Sequence, residues 1–150
     1  MGTKYPGTEV EIRALDTYIK LTRAANTMID RTNAHLSDYH LTASQFGVLE
    51  ALYHLGTLAQ IELSRKLLLS TGNITTVLQN LEKRSLICRE RDAHDQRVVR
   101  VSLTDSGRQL VEAILPSHVA TIVADLSVLS VEEQETLAAL CRKLGLQLHE

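Results

Sequence analysis

The sequence predicts a mainly α-helical chain with a small β element, and three observations predict it. Apolar residues recur at helical spacing along most of the 150 residues, while β-prone runs occur only at 86–89 and 98–103. The composition is 44% hydrophobic yet holds one Phe and no Trp, which suits packed helices rich in Leu and Ala. Residues 67–107 place, in order, a small-polar helix start, an amphipathic helix, a Lys-Arg pair, a strand-like run, a charged loop, a second strand-like run and Leu-Thr-Asp-Ser-Gly. That order is the order of a winged helix-turn-helix, in which one helix enters the major groove of DNA beside a hairpin wing.

The elements follow along the chain. Residues 9–38 form a long amphipathic segment with Val10, Leu15, Tyr18, Ile19, Leu21, Ala25, Met28, Ile29 and Leu36 broadly apolar. Thr42 and Gln45 have the spacing of a capping box for a second helix whose Phe46, Leu49, Leu52 and Tyr53 face inward, and Gly56 ends it. Residues 61–68 make a short helix. The next helix opens at Ser70 or Thr71, either of which can cap it and leave its free N–H groups for a phosphate. Residues 108–126 form another long helix, which Pro116 should kink or interrupt because it removes a backbone donor. Ser130 and Glu133 make a further capping box, and Leu137, Leu140, Cys141, Leu144 and Leu148 form one stripe to the C-terminus.

The helix after Ser70 is informative by its two faces. Ile74, Val77, Leu78 and Leu81 stand at i, i+3, i+4 and i+7. The opposite face carries Gly72, Asn73, Thr76, Gln79, Asn80 and Lys83, with Thr75 on the flank. Surface helices usually turn Glu and Lys outward. Amides and hydroxyls can both donate and accept at base edges. A solvated polar helix would read the same way on this segment alone. The loop between the strand-like runs adds Arg89, Arg91, Asp92, His94, Asp95, Arg97 and Arg100. Such a loop is often only a solvated turn, but a basic one can enter a narrow minor groove. Asp95 and Arg97, two apart, can pair so that the carboxylate aims the guanidinium.

Charge is distributed to match. The net charge is −2, but residues 60–110 hold nine Lys and Arg against six Asp and Glu, +3, which leaves −5 outside that segment. A modestly basic module on an acidic remainder suits an operator-specific binder better than a general DNA-coating protein. No apolar run approaches the ~20 residues of a membrane span and no signal peptide is evident, so a cytoplasmic protein of a bacterial or archaeal cell, without a membrane partner, is expected. Two cysteines, Cys88 and Cys141, offer neither a disulfide framework nor metal-ligand spacing and are expected as structural thiols. The six histidines stand in no ligand pattern, and no phosphate-binding or nucleophile motif occurs. Asp92, His94 and Asp95 read as solvated wing residues rather than metal ligands. No enzyme, cofactor or metal is expected.

The chain resembles the MarR family of transcriptional regulators. The resemblance is carried by Leu81-Glu82-Lys83-Arg84, by Leu86-Ile87 with Arg89 and Arg91, by Asp95-Gln96-Arg97, and by residues 101–107, Val-Ser-Leu-Thr-Asp-Ser-Gly. It continues through residues 41–46 and 129–133 and covers about residues 10–148. The wing with its Leu-Thr-x-x-Gly continuation is its most specific part. Two positions depart from the pattern. Ser85 stands where the family often has Gly, and Gly72 lies in the first turn of the recognition helix, at about 1 kcal/mol of helix propensity.

The resemblance implies one domain over 1–150, with a DNA-binding lobe at 42–104 and dimerisation helices at 9–38 and 108–148. Completion of a monomer's core is the plainer reading of the terminal helices, and the resemblance favours their interleaving across a two-fold axis. A two-fold dimer presents two recognition helices about one DNA turn apart, roughly 34 Å, and so reads a pseudo-palindromic operator on double-stranded DNA. The residues expected at DNA are Ser70, Thr71, Asn73, Thr75, Thr76, Gln79, Asn80 and Lys83 on the helix, Arg84 after it, and Arg89, Arg91 and Arg97 in the wing, with Asp95 as orienting group. The resemblance also implies repression relieved by a small effector, phenolic acids for example. These bind in the family between the dimerisation helices and the DNA-reading lobe. Tyr18, Tyr39, Tyr53, His54 and His118 are the amphipathic groups available, each also explicable by packing. The family's peroxide sensors carry a reactive Cys in the first helix, and this chain has none there. A helical dimerisation or protein-interaction module that has lost DNA binding is the alternative; the uncharged polar face around Thr76 and Gln79, with Arg97 beyond it, argues against it.

Overall fold

The computed structural model describes residues 2–148; His149, one of the six histidines, lies outside them. The elements are α1 (Glu9–Asn33), a 3-10 helix (Ala34–Tyr39), α2 (Ala43–Leu55), β1 (Leu58–Ala59), α3 (Gln60–Lys66), α4 (Thr71–Lys83), β2 (Ile87–Arg91), β3 (Val99–Leu103), α5 (Asp105–Leu126) and α6 (Val131–Leu148). The chain divides into two compact units, Asn33–Ser117 and the segments outside it. In Asn33–Ser117 the 3-10 helix, α2, α3, α4, the first half of α5 and a small sheet enclose the core. The sheet is antiparallel in the order β1-β3-β2, with Leu58 opposite Val101 and Ile87 opposite Leu103.

Every fully buried apolar side chain among the described residues belongs to this unit. Leu49, Leu52, Leu63, Ile74, Leu78, Val101 and Ile114 are at or below 1% exposure. Ile74, Leu78 and Leu81 are the expected stripe of α4, with Val77 half-buried beside it. Both expected capping boxes form. Gln45 N–H donates to Thr42 Oγ1 at 3.1 Å while Thr42 N–H donates to the Gln45 side chain. Ser130 and Glu133 do the same for α6.

Three helices of this unit end alike. His40, Leu68 and Ser85 take left-handed backbone, with φ of 55°, 54° and 58°. In each case the next amide bonds back five residues: Leu41 to Leu36, Leu69 to Ser64 and Leu86 to Leu81. The residue making that bond is a Leu each time, and Leu41 and Leu86 are buried. This is the Schellman ending, in which an apolar residue after the left-handed one packs back on the helix. The packing holds a conformation that costs an L-residue roughly 1–2 kcal/mol. Ser85 is thus one of three non-glycine residues in that role.

Four expectations change. Residues 9–38 are not one helix, because α1 stops at Asn33 and a 3-10 helix follows. α5 runs uninterrupted through Pro116; the carbonyl four residues earlier belongs to exposed Glu112, where water can take the place of the missing donor. α5 is also long and apolar enough, by length and composition, to cross a membrane, against the expectation that nothing would be. Its Val111 and Ile114 are fully buried in the protein core, while Val119 and Val123 further along are exposed. Cys88 and Cys141 are both exposed rather than buried structural thiols. Strand alternation turns Cys88 away from buried Ile87, and Cys141 lies on α6, none of whose described residues is buried.

The other unit is α6, most of α1 and the end of α5, and it buries no apolar side chain completely. Arg31 and Asp125 pair at 2.8 Å within it. Its apolar residues stay open, with Val10, Tyr18, Val123, Leu140 and Leu148 among them.

The start of α5 explains the Leu-Thr-x-x-Gly sequence. Thr104 N–H donates to the Leu86 carbonyl at 3.1 Å, and its hydroxyl donates to the Ser85 carbonyl at 2.7 Å. The same hydroxyl accepts from Gly107 N–H at 3.0 Å and so caps α5. A Cβ on Gly107 would lie 2.1 Å from the Leu86 carbonyl oxygen. Gly107→Ala should therefore destabilise the protein by about 2 kcal/mol, the overpacking penalty exceeding the gain in helix propensity. Ser85→Gly should stabilise it by about 1 kcal/mol by relieving the left-handed residue. Urea unfolding of the two variants should shift the midpoint in opposite directions; a shift of the same sign would contradict this account of the joint.

Candidate nucleic-acid interface

Ser70, not Thr71, caps α4. Its backbone is extended and its hydroxyl accepts from Asn73 N–H at 3.2 Å. With Ile74, Leu78 and Leu81 buried beneath, Asn73, Thr76, Gln79, Asn80 and Lys83 stand exposed on the opposite face. The threonines are more constrained than the sequence suggests. Thr76 donates its hydroxyl to the Gly72 carbonyl at 3.2 Å, and Thr75 donates to the Thr71 carbonyl at 2.8 Å. Thr75 also accepts from Gln60 Nε2 at 3.2 Å, which ties α3 to α4. What Thr76 presents outward is acceptor lone pairs and a methyl group, suited to an amino group or a thymine methyl. The carboxamides of Gln79 and Asn80 offer both donor and acceptor.

The wing between β2 and β3 is folded by two carboxylates. Asp92 Oδ1 accepts from the amides of His94 at 2.8 Å and Asp95 at 3.0 Å, and its Oδ2 pairs with Arg100 Nε at 2.5 Å. Asp95 accepts from Arg97 N–H at 3.1 Å, and its two oxygens take Arg97 Nε at 3.0 Å and Nη2 at 3.2 Å. Arg97 itself is 91% exposed, so the expected aiming of its guanidinium by Asp95 is present at the wing. Arg91 steadies the wing by donating to the Gln96 carbonyl at 2.7 Å. Asp92 and Arg100 organise the loop, a role their positions in the sequence did not single out. Asp92, His94 and Asp95 do not converge, and no group of three metal-ligating side chains stands together among the described residues.

Two of the expected cations are engaged within the protein. Arg89 makes a two-pronged pair with Glu82 at 3.0 and 3.3 Å, joining β2 to α4. Arg84 donates from Nη1 to the His40 carbonyl at 2.8 Å and from Nη2 to the Tyr39 carbonyl at 3.0 Å. The five expected effector residues are divided between the two units. Tyr18 and His118 belong to one unit, and Tyr39, Tyr53 and His54 to the other. Tyr53 packs on the core with the Arg108 guanidinium 5.5 Å above its ring and the His54 ring at its edge. A cleft of about 230 Å³ between α3, the start of α4 and the wing is lined instead by Gln60, Ser64, Thr71 and Arg97 with apolar neighbours.

The pairing sets the proton chemistry of the interface. The Arg100 guanidinium, and then the amides of His94 and Asp95, hold the Asp92 carboxyl below its ordinary range. Arg97 does the same for Asp95, and Arg89 for Glu82. A carboxyl lowered in the folded state stabilises it fully above the unfolded value, about 4, and loses that contribution as pH falls through the folded value. The wing should therefore keep its ion pairs throughout about pH 5–8. Carboxyl-carbon titration by NMR should give midpoints for Asp92 and Asp95 below about 3.9. A midpoint at or above that for Asp95 would show that Arg97 is not held.

Comparison with known proteins identifies the family. Residues 32–114 match a family model described as transcriptional regulator SarA/Rot. The HTH-type transcriptional regulator MhqR of Bacillus subtilis is 36% identical over 134 residues, 89% of this chain and 92% of that protein. A crystal structure of the S. aureus MepR–DNA complex superposes with a TM-score of 0.75 at 31% identity, over 85% of this chain and 95% of the other. A MarR family protein from Bacillus stearothermophilus superposes with a TM-score of 0.73 at 26% identity, over 96% of this chain and 99% of its own. The exposed polar face of α4, the wing with its oriented arginine and these matches have one conclusion: the chain belongs to the MarR-type winged-helix family of DNA-binding transcriptional regulators.

Proposed function

We propose that the protein is a cytoplasmic homodimeric repressor of a pseudo-palindromic operator. The observation that carries the dimer is the distribution of apolar surface. The unit built from α1, α6 and the end of α5 buries no apolar side chain completely, while Leu140 is 59% and Leu144 47% exposed on one stripe of α6. An apolar face of that extent normally meets a partner. A second copy supplies it with two-fold symmetry, and two copies of α4 then read two half-sites. In this reading Gln79 and Thr76 read base edges, with Asn73, Thr75, Asn80 and Lys83 beside them. Ser70 and Thr71 set the helix on phosphate, and Arg97 enters the minor groove or grips its phosphate edge, with Arg91 behind it. Relief of repression by a small phenolic or similar effector completes the proposal; Tyr18, Tyr39, Tyr53, His54 and His118 are its candidate contacts in the assembled dimer. No catalytic role is proposed.

Selection of bound duplexes from random DNA tests the reading most directly and should return two inverted half-sites. On the selected duplex, Gln79→Ala should relax preference at one base pair of each half-site. Arg97→Ala should weaken binding by about 1–3 kcal/mol without unfolding the protein. Sequence preferences identical to the parent's in the Gln79 variant would remove that residue from base reading.

The dimer has its own test. Leu144→Asp places one carboxylate at two symmetric positions of the interface, and an unpaired buried carboxylate costs several kcal/mol. Sedimentation at micromolar concentration should give a dimer for the parent and a monomer or unfolded chain for the variant, with DNA binding lost. A parent that sediments as a folded monomer would refute the dimer.

A further inference from the structure

We propose that Arg84 serves DNA reading as a positioning residue, fastening the end of the recognition helix to the segment that leaves α1, and not as a phosphate contact. The starting point is the end of the 3-10 helix. A helix leaves its last carbonyls without intrahelical donors. At this end His40 is left-handed, and its own N–H turns back to the Leu36 and Ser37 carbonyls. The carbonyls of Tyr39 and His40 therefore need donors from elsewhere. Arg84, 44 and 45 residues away in sequence, supplies one nitrogen to each. The guanidinium is a planar fork, so two nitrogens can serve two different acceptors without distortion. Both bonds are charge-assisted, and a cation at a helix C-terminus is favourable besides.

The placement of Arg84 gives the clasp its consequence. It is the residue immediately after α4. The next two residues offer their carbonyls to Thr104 at the start of α5. The C-terminal end of the recognition helix is thus held on one side at residues 39–40 and on the other at residue 104. Those are the two places where the DNA-reading unit receives chain from α1 and sends it into α5. At its other end α4 is fixed by the Ser70 cap and by the Gln60–Thr75 bond. Release of the Arg84 clasp leaves the helix in place but frees one end to tilt, which displaces Gln79 and Asn80 from base edges more than it changes net attraction to phosphate.

This rests on α4 reading DNA, and the test separates the two. Arg84→Ala and Arg84→Lys are compared with the parent on a duplex selected by the parent from random DNA and on a random-sequence duplex of equal length, each over a range of salt. Both variants should bind the selected duplex about tenfold more weakly, the scale of a lost charge-assisted pair of bonds. The random duplex should be bound as before, with the slope of log affinity against log salt unchanged. Lys keeps the charge but presents one nitrogen where two are used, so it should not rescue. In the absence of DNA, amide exchange at His40, Leu41, Ser85 and Leu86 should quicken in both variants. Equal weakening on the two duplexes, a salt slope smaller by about 0.9 in the Ala variant, or full rescue by Lys with parental exchange would each overturn the proposal. A parent that bound no duplex would instead overturn the DNA reading, with the exchange data still reporting whether the clasp exists.

Discussion

The carbonyl of Leu86 accepts the amide of Thr104 while Gly107 presses its bare Cα against the same oxygen. Much of the DNA-reading unit depends on this one close approach. It sets where α5 begins, because the hydroxyl of the same Thr104 caps that helix. It sets where the hairpin begins, because Leu86 leads into β2, whose Ile87 pairs with Leu103 one residue before Thr104. It also terminates the recognition helix, since the Leu86 amide closes the ending on Leu81. Recognition helix, wing and the helix leaving the unit share a single backbone joint. A side chain at 107 would push all three apart together.

Around that joint, burial divides the molecule by purpose. The unit of residues 33–117 is closed by Leu49, Leu78, Val101 and Ile114, and it needs no partner to hide its apolar atoms. The other unit is sequence-amphipathic but covers little of itself, because few helical segments have to share a broad apolar surface. A small unit of that kind is marginal alone, since too small a fraction of its surface is removed from water. In the proposed dimer its stability is linked to association, while the core of residues 33–117 is closed by the chain itself.

What the sequence made legible was local and periodic. Thr42 with Gln45, Ser130 with Glu133, and the stripe Ile74, Val77, Leu78 and Leu81 each state their structure within a few residues. Asp95 and Arg97 could be paired from spacing because they are two apart in one loop. The features that escaped are those formed across sequence. β1 is only Leu58–Ala59, too short for any period, and exists because β3 offers it an edge. Arg84 looked like one more cation in a Lys-Arg pair; only the fold shows the Tyr39 and His40 carbonyls beside it. The continuity of α5 through Pro116 depends on which side faces water, and the residue type cannot report that. Ser85 was legible as a departure from glycine, but the reason it is tolerated, a buried Leu86 locking the turn, is tertiary.

The same long-range pairing resolves how a chain of net charge −2 reads DNA. Residues 60–110 hold nine cations, but six of them are already engaged. Arg89, Arg97 and Arg100 face carboxylates, Arg84 and Arg91 face backbone carbonyls, and Arg108 lies over Tyr53. Cations held in this way fix shape more than they supply a diffuse attraction. Fewer phosphates can then be neutralised than the count of Lys and Arg suggests, and each one neutralised steepens the salt dependence by about 0.9. On the proposed reading of α4, discrimination then rests on the uncharged groups more than on the number of cations. Gln79, Asn80 and Thr76 stand exposed on α4, and Arg97 is 91% exposed while paired with Asp95. On that proposed reading, rigidity from internal ion pairs is what lets a weakly basic protein be selective: neutral groups read the bases, and the charges mostly keep them in place.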